Sequence, residues 1–353
     1  MLSIVDKTTR SIKETVKLFS QILYDRHIQK GSDAEYRIAT YGFPKGETGF
    51  WFCSLIEERT GKKVAFSWYK PSLLLTSVFG ISWLLKILLS TCKQPSVFFS
   101  GENLRTLKKY RDYRDYLGSL PSLALGFDHG EKYNYRRFPL WLLYIFPAEF
   151  VARASVQDIQ KELDLIESRS FKSKKMFAAM IASHSGYHNR KKIDGKGAPV
   201  SRVDITKRVK RIEHICCPGK LLHNDNSLLE NFADDKKKYL QQFRFNICAE
   251  NAAAPGYVTE KLFESFEAGA IPIYWGDYPP EPAIVKPERI IFWHAASDNS
   301  EALKKIEEIN SSEAARKKFL ANPIFTKTAA AEIFNYFQII NTALIELLSK
   351  KNT

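Results

Sequence analysis

The sequence predicts an α/β protein of two domains, and three observations carry that expectation. Strand-like apolar runs alternate with helical stretches along most of the chain. A length of 353 residues is long for one core and suits two domains of ordinary size. Residues 245–276, FNICAENAAAPGYVTEKLFESFEAGAIPIYWG, read in one stretch as strand, loop, helix and strand. Apolar content of 44% is globular, and an aromatic fraction of 13% argues against broad disorder.

Residues 1–33 are expected to form a basic helical leader, with Ile12, Val16, Phe19 and Leu23 at helical spacing. Arg37 to Tyr41 is strand-like, Gly42 to Gly49 a loop, Phe50 to Arg59 helical, and Val64 to Trp68 a further strand. Residues 73–89, LLLTSVFGISWLLKILL, are the most apolar run. They are shorter than a membrane span needs, carry Lys86 near one end, and are split by Gly80. Leu73 to Thr76 therefore reads as a buried strand and Ile81 to Leu89 as a short buried helix. Val97 to Ser100 is another strand, running straight into Gly101-Glu102-Asn103. Leu123 to Asp128 and Tyr135 to Trp141 follow, then a charged helical stretch over 151–175. Met176 to Ser183 opens the second domain with a buried strand, and residues 189–201 form a basic, glycine-containing loop.

In the 245–276 segment, Phe245, Ile247 and Cys248 make an apolar run that breaks at Glu250-Asn251, Pro255 and Gly256. Thr259-Glu260-Lys261 opens a helix whose Leu262, Phe263 and Phe266 share a face, and Gly269 stops it. Ile271 to Trp275 is a buried strand ending at Gly276. Ligands of open α/β sheets sit at the carboxyl ends of strands, and a helix start there suits a phosphate. Lys261 in the first turn opposes the helix dipole, and a bound anion would remove the conflict. Residues 329–349 form an amphipathic helix ending in Lys350-Lys351, expected either to pack back across the domains or to touch an anionic membrane surface.

Net charge is 53 − 39 = +14, which implies an anionic partner: nucleotide, nucleic acid or acidic membrane face. The lysine-rich runs Lys172 to Lys175, Lys207 to Arg211 and Lys236 to Lys238 lack an aromatic platform, so they read as solvated faces and no nucleic-acid partner is expected. Cys53, Cys92, Cys216, Cys217 and Cys248 lack zinc-ligand spacing and read as free thiols of a reducing compartment. His184 and His188 are four apart, but Ser185, Gly186 and Tyr187 between them look like a loop, so no metal site is expected. Met1-Leu2-Ser3 leads into Asp6, Lys7 and Arg10 without the apolar core of a secretory signal. The expected location is cytoplasmic, with peripheral contact at the inner face of the membrane compatible with the charge.

Glu250-Asn251, Tyr257 through Lys261 and Ile271 through Gly276, in register, closely resemble the signature of the family 10 glycosyltransferases, the α-1,3/1,4-fucosyltransferases, in their bacterial form. Phe99 to Asn103, Gly126 to Asp128, Arg137 to Trp141 and Lys172 to Ser183 are similar to further stretches of that family. Ala249 stands where the family usually has an aromatic, and Pro218 where it has glycine. The leader, the 189–201 loop and the last 25 residues match nothing assignable in the family. The resemblance implies a GT-B arrangement, two Rossmann-like domains facing across a cleft: residues 34–155 binding the acceptor and residues 172–325 binding the nucleotide sugar, followed by the C-terminal helix at 326–353. It further implies that L-fucose moves from GDP-β-L-fucose, with inversion, to a hydroxyl of GlcNAc or Glc in an oligosaccharide or lipid-linked glycan, through an α-1,3 or α-1,4 bond. Lipopolysaccharide, capsule and free oligosaccharide all stay open as carriers.

Under that resemblance Glu102 is the candidate base, and Arg202 and Lys261 hold the diphosphate. Glu260 binds ribose hydroxyls or sits by the developing positive charge, and Asn251 and Tyr257 complete the donor pocket. Register places the phosphate arginine at Arg202 when counted from Ile215 to Gly219, and at Arg190 when counted from Ser183; the downstream register favours Arg202. No Asp-x-Asp motif ends a strand, so neither a metal nor another cofactor is inferred. A transferase using another nucleotide sugar and a non-enzymatic basic protein binding membrane or nucleic acid are the competing readings.

Overall fold

The computed structural model describes residues 4–28, 33–43, 48–105, 108–130, 134–185, 202–295 and 297–349. Arg190, His188, the 189–201 loop up to Ser201 and Lys350-Lys351 lie outside the described residues. The chain forms two compact units, Met1–Ala154 with Asn335–Thr353, and Ser155–Phe334.

The first unit contains, in order, α1 (Ile4–Ile28), β1 (Tyr36–Tyr41), α2 (Thr48–Thr60), β2 (Val64–Phe66), β3 (Leu73–Ser77), α3 (Ser82–Thr91), β4 (Ser96–Phe99), β5 (Leu123–Gly126), β6 (Tyr135–Arg137), α4 (Trp141–Ile145) and α5 (Ala148–Arg153). Its strands pair in parallel in the order β2-β1-β3-β4-β5-β6, so every strand delivers its carboxyl end to the same edge. Such a sheet is covered on both faces, which is why β3, β4 and β5 are buried at every position and read as unbroken apolar runs. The 73–89 run divides as expected, into β3 and α3 around Gly80. Thr76, fully buried in β3, donates its hydroxyl to Val97 O at 2.9 Å and so satisfies a polar group in the core.

The leader is helical, but its apolar stripe does not face the core. Ile12, Val16, Phe19 and Leu23 are 54–59% exposed, while Leu18 is buried and Ile22 packs on the core. Asp25, 2% exposed, fixes this rotation: its carboxylate accepts the Trp68 N–H at 2.7 Å and the Gln21 amide at 2.8 Å. A buried carboxylate left without those donors is costly, so the polar anchor outweighs the stripe in setting the face.

The second unit contains α6 (Val156–Arg169), β7 (Met176–Ala179), α7 (Arg202–Val209), β8 (Ile215–Cys216), α8 (Ser227–Phe232), α9 (Lys236–Leu240), β9 (Phe243–Ala249), α10 (Glu260–Glu267), β10 (Ile271–Trp275), β11 (Ile291–Phe292), α11 (Ser300–Ser311) and α12 (Glu313–Leu320). Its parallel sheet runs β11-β10-β9-β7-β8. Ser155 and Asp158 form a reciprocal capping box that starts α6. Gly269 ends α10 with φ +70°, and a Cβ there would sit 2.3 Å from Arg169 O, so only glycine fits the close approach of the two helices. Lys174, read above as solvated, is half-buried and donates to Ala268 O, placing a cation on the carboxyl end of α10.

The last helix, α13 (Ala329–Ser349), begins in the second unit and from Asn335 belongs to the first. Phe337, Ile340 and Leu344 are buried, the Phe337 ring lies 5.2 Å from Phe146, and Asn341 donates to Val151 O at 3.0 Å. Its apolar stripe is thus covered by protein. All five cysteines are free, and burial pushes the Cys53 and Cys248 thiols up to about 12.

Candidate functional site

The carboxyl ends of β7, β8 and β9 and the first turn of α10 enclose a cavity of about 490 Å³ in the second unit. Of the residues expected from sequence, Arg202, Asn251, Glu260 and Lys261 line it together. Tyr257 does not: it is 1% exposed and packs in the core behind the loop. Glu102 belongs to the other unit.

The start of α10 is built around Glu250, a residue whose place in the motif was visible but whose task was not. Its carboxylate is 1% exposed and accepts the Thr259 N–H at 2.8 Å and the Thr259 hydroxyl at 2.6 Å. Thr259 is the N-cap residue, yet its hydroxyl serves Glu250 rather than the helix N–H groups. The first turn of α10 is therefore left without a side-chain cap, as an anion site at a helix start requires. Lys261 Nζ donates to Thr259 Oγ1 and to Glu260 Oε1, each at 2.9 Å, and lies 3.6 Å from Glu250 Oε2. Two carboxylates thus share one ammonium.

Burial opposes the Lys261 charge, but the carboxylates of Glu260 and Glu250 outweigh it and hold the ammonium above the ordinary lysine range. Glu260 is likewise opposed by burial yet held below its ordinary value by Lys261. Glu250 goes the other way, because desolvation exceeds the pull of the more distant contact with Lys261. Behind the turn, Ser265 Oγ donates to Lys261 O and accepts from Asn246 Nδ2, tying α10 to β9.

Arg202, 5% exposed, opens α7 and reaches the end of β9. Its Nε and Nη2 donate to Ala249 O at 3.0 and 2.7 Å, Nη2 also to Asn251 Oδ1 at 2.9 Å, and Nη1 to His184 O at 2.9 Å. The guanidinium therefore holds the loop after β9 against the segment after β7 and presents a fixed positive charge to the cavity. Because the contact is made to the Ala249 carbonyl, the small side chain at 249 costs it nothing.

Glu264 and Lys236 also belong to the lining, with Lys220 and Asp234. Glu264 lies one turn beyond Glu260, and the i,i+4 spacing that puts both on one helix face was legible in the sequence. Burial and then the neighbouring Glu260 push its carboxyl up to about 7, against the pull of Lys236 and Lys261. Lys236 belonged to a run read as a solvated face; it lines the cavity, and Lys237 pairs with Glu267. Three-dimensional proximity, not spacing, gives both their tasks.

In the first unit, β4 ends at Phe99 and the chain turns on Ser100, which is fully buried. Ser100 Oγ accepts the Glu102 N–H at 3.2 Å and donates to Glu102 O at 3.0 Å. A Cβ on Gly101 would meet the Leu140 side chain at 2.9 Å, so the turn packs directly onto the Phe138 to Trp141 stretch. Glu102 is half-buried at the carboxyl edge of its sheet. Asp128 nearby pairs with Arg105 at 2.7 Å. Among the described residues no group of three or more His, Cys, Asp or Glu side chains is arranged to hold a metal ion, and no helix is long and apolar enough to cross a membrane.

Residues 171–321, which contain the whole cavity lining, match the family described as glycosyltransferase family 10 (fucosyltransferase) C-term. A stretch of 104 residues is 32% identical to alpha-(1,3)-fucosyltransferase FucT of Helicobacter pylori, covering 28% of this chain and 21% of that protein. The aligned part is thus about a fifth of the relative. The fold is that of a crystal structure of an alpha1,3-fucosyltransferase, with TM-score 0.56, 19% identity, and coverage of 91% of this chain and 95% of that one. The crystal structure of an alpha1,3-fucosyltransferase with GDP-fucose superposes with TM-score 0.54 at 18% identity over the same shares. The expected α/β architecture with two parallel sheets is present.

Proposed function

We propose, from the match of residues 171–321 to the family 10 (fucosyltransferase) C-terminal model, that the chain is an inverting fucosyltransferase acting from GDP-β-L-fucose on a GlcNAc or Glc hydroxyl of a glycan. The observation that carries this reading is the cavity at the start of α10. It is lined by Lys261, Arg202 and Lys236, lies inside the matched segment, and suits a nucleoside diphosphate in charge and size.

In this reading the diphosphate occupies the amino end of α10. Lys261, already oriented by Glu260, Thr259 and Glu250, offsets the charge that develops on the leaving group. Arg202 contributes a fixed charge and positions Asn251, and Tyr257 supports the loop from the core. Glu260 faces the ribose or the developing positive charge of the sugar. Glu102 takes the proton of the acceptor hydroxyl, whose oxygen attacks the anomeric carbon. The bond from that carbon to the phosphate oxygen breaks, GDP leaves with the electron pair, and the β-linked donor becomes an α-fucoside, 1,3 or 1,4. The balance of +14 supports peripheral contact with an anionic membrane face on the cytoplasmic side.

The test is GDP release from GDP-fucose, with GDP-mannose and UDP-galactose as donor controls, over a small panel that includes N-acetyllactosamine. Wild type is compared with Glu102→Ala and Lys261→Ala. Acceptor-dependent release from GDP-fucose alone, lost in both variants, is expected. Release unaffected by Glu102→Ala removes the base, and turnover with a different donor replaces fucose.

A further inference from the structure

We propose that the first unit carries an oligosaccharide-binding groove between α1 and the carboxyl ends of β1, β2 and β3, and that it holds sugars of the acceptor beyond the one that is modified. The inference rests on the transferase reading for its substrate class and on the geometry for its location. A cavity of about 400 Å³ opens there, with Phe43, Phe66, Trp68 and Phe79 around it and Gln21 and Thr40 among its polar lining. Sugars are bound by flat aromatic faces that cover their C–H surfaces together with a few hydrogen-bonding side chains at the rim, and this lining supplies both.

Three features make it a built site rather than a gap beneath a loose helix. Asp25 locks α1 over the strand ends by accepting the Trp68 N–H, and the Gln21 amide one turn earlier in the same helix steadies that carboxylate, so one wall is anchored by a buried acid. The Tyr41 hydroxyl accepts the Ile81 N–H at 2.8 Å, and Phe79 N–H donates to Gly42 O at 2.9 Å, so the floor is cross-linked between the ends of β1 and β3. Phe79 nonetheless remains 40% exposed, although it follows a fully buried strand.

Position along the sheet supplies the functional link. The sheet is parallel, so the groove and Glu102 share one edge. Glu102 follows β4, which lies two strands from β1 and hence roughly 10 Å along that edge. A short oligosaccharide spans that distance, with its reacting ring at Glu102 and its next sugars under α1.

The experiment uses the full chain and compares the KM of N-acetyllactosamine with that of the methyl glycoside of GlcNAc in wild type, Phe79→Ala, Trp68→Ala and Trp68→Phe. Loss of one aromatic face is expected to raise the KM of the disaccharide about tenfold while leaving the monosaccharide and the GDP-fucose KM unchanged, with Trp68→Phe recovering most of it. Unchanged disaccharide KM in both alanine variants, with native circular dichroism, overturns the groove. If wild type transfers no fucose, the transferase reading fails separately, and saturation-transfer NMR with N-acetyllactosamine decides. Signal present in wild type and lost in Phe79→Ala sustains the groove, and no signal or equal signal overturns it.

Discussion

Replacing Lys261 by methionine keeps the apolar stem and removes the ammonium shared by two carboxylates. Nζ lies 2.9 Å from Glu260 Oε1 and 3.6 Å from Glu250 Oε2. At an effective dielectric of about 20, each contact is worth about 5 kcal/mol of attraction. Much of this offsets the cost of desolvating the charges, so removing one partner is expected to cost about 3–5 kcal/mol net. For a unit the size of Ser155–Phe334 that lowers Tm by roughly 6–20 °C at neutral pH. The sign with pH distinguishes this cause from lost packing. Without the lysine, both glutamates have folded-state pKa values above their unfolded ones. Their burial is then harmless while they are protonated and becomes destabilising as pH rises through the folded values. The Tm gap between wild type and Lys261→Met, followed by near-UV circular dichroism, should therefore be small at pH 5 and large at pH 8. An equal gap at both pH values, or a larger one at pH 5, would refute the idea that Lys261 neutralises Glu250 and Glu260.

Gly269→Ala should destabilise the second unit by about 2–4 kcal/mol, because the new Cβ meets Arg169 O at 2.3 Å in a left-handed conformation; an unchanged urea midpoint would contradict the close approach. Burial and Glu260 hold the Glu264 carboxyl up at about 7, so under the proposed function its ionisation adds a negative charge to the donor cavity, and GDP affinity should fall as pH rises through that value. Calorimetry from pH 6 to 8 should show the fall in wild type and a flatter profile in Glu264→Gln. Arg202→Lys keeps the charge but loses the geometry that bonds Ala249, Asn251 and His184 at once, so GDP should bind about ten- to a hundredfold more weakly despite the retained cation. Wild-type affinity in that variant would assign Arg202 to charge alone.

The parts of this fold written most plainly in the sequence are those where local preference and tertiary context agree. Gly80 divides one apolar run into β3 and α3 where a Cβ would meet the Tyr41 ring at 2.5 Å, and Gly269 closes α10 in the left-handed conformation that glycine adopts freely. Thr259-Glu260-Lys261 likewise announced a helix start at a strand end. What sequence spacing could not supply was rotation and rivalry between surfaces. Ile12, Val16, Phe19 and Leu23 form a convincing core stripe until Asp25 and Trp68 are brought together from distant parts of the chain, and then the stripe faces outward. Tyr257 sits in a polar motif yet packs in the core, since the turn at Gly256, with φ +77°, directs the chain inward. Glu250 and Glu264 acquire their character from burial and from Glu260, neither of which a linear reading weighs.

The split membership of α13 has a consequence for biosynthesis. The first unit joins residues 1–154 to the later part of α13, so its core cannot be completed until that helix has been made. Translating Ser155–Phe334 at about 5–20 residues per second takes roughly 10–40 s. Throughout that interval the surfaces awaiting Phe337, Ile340 and Leu344, including Phe146 and Phe150, stand uncovered on the ribosome. The second unit, contiguous in sequence, is free to fold first, although it is made later. A released chain truncated just before Asn335 would therefore present a chaperone with a contiguous C-terminal unit able to fold and an unsealed N-terminal one.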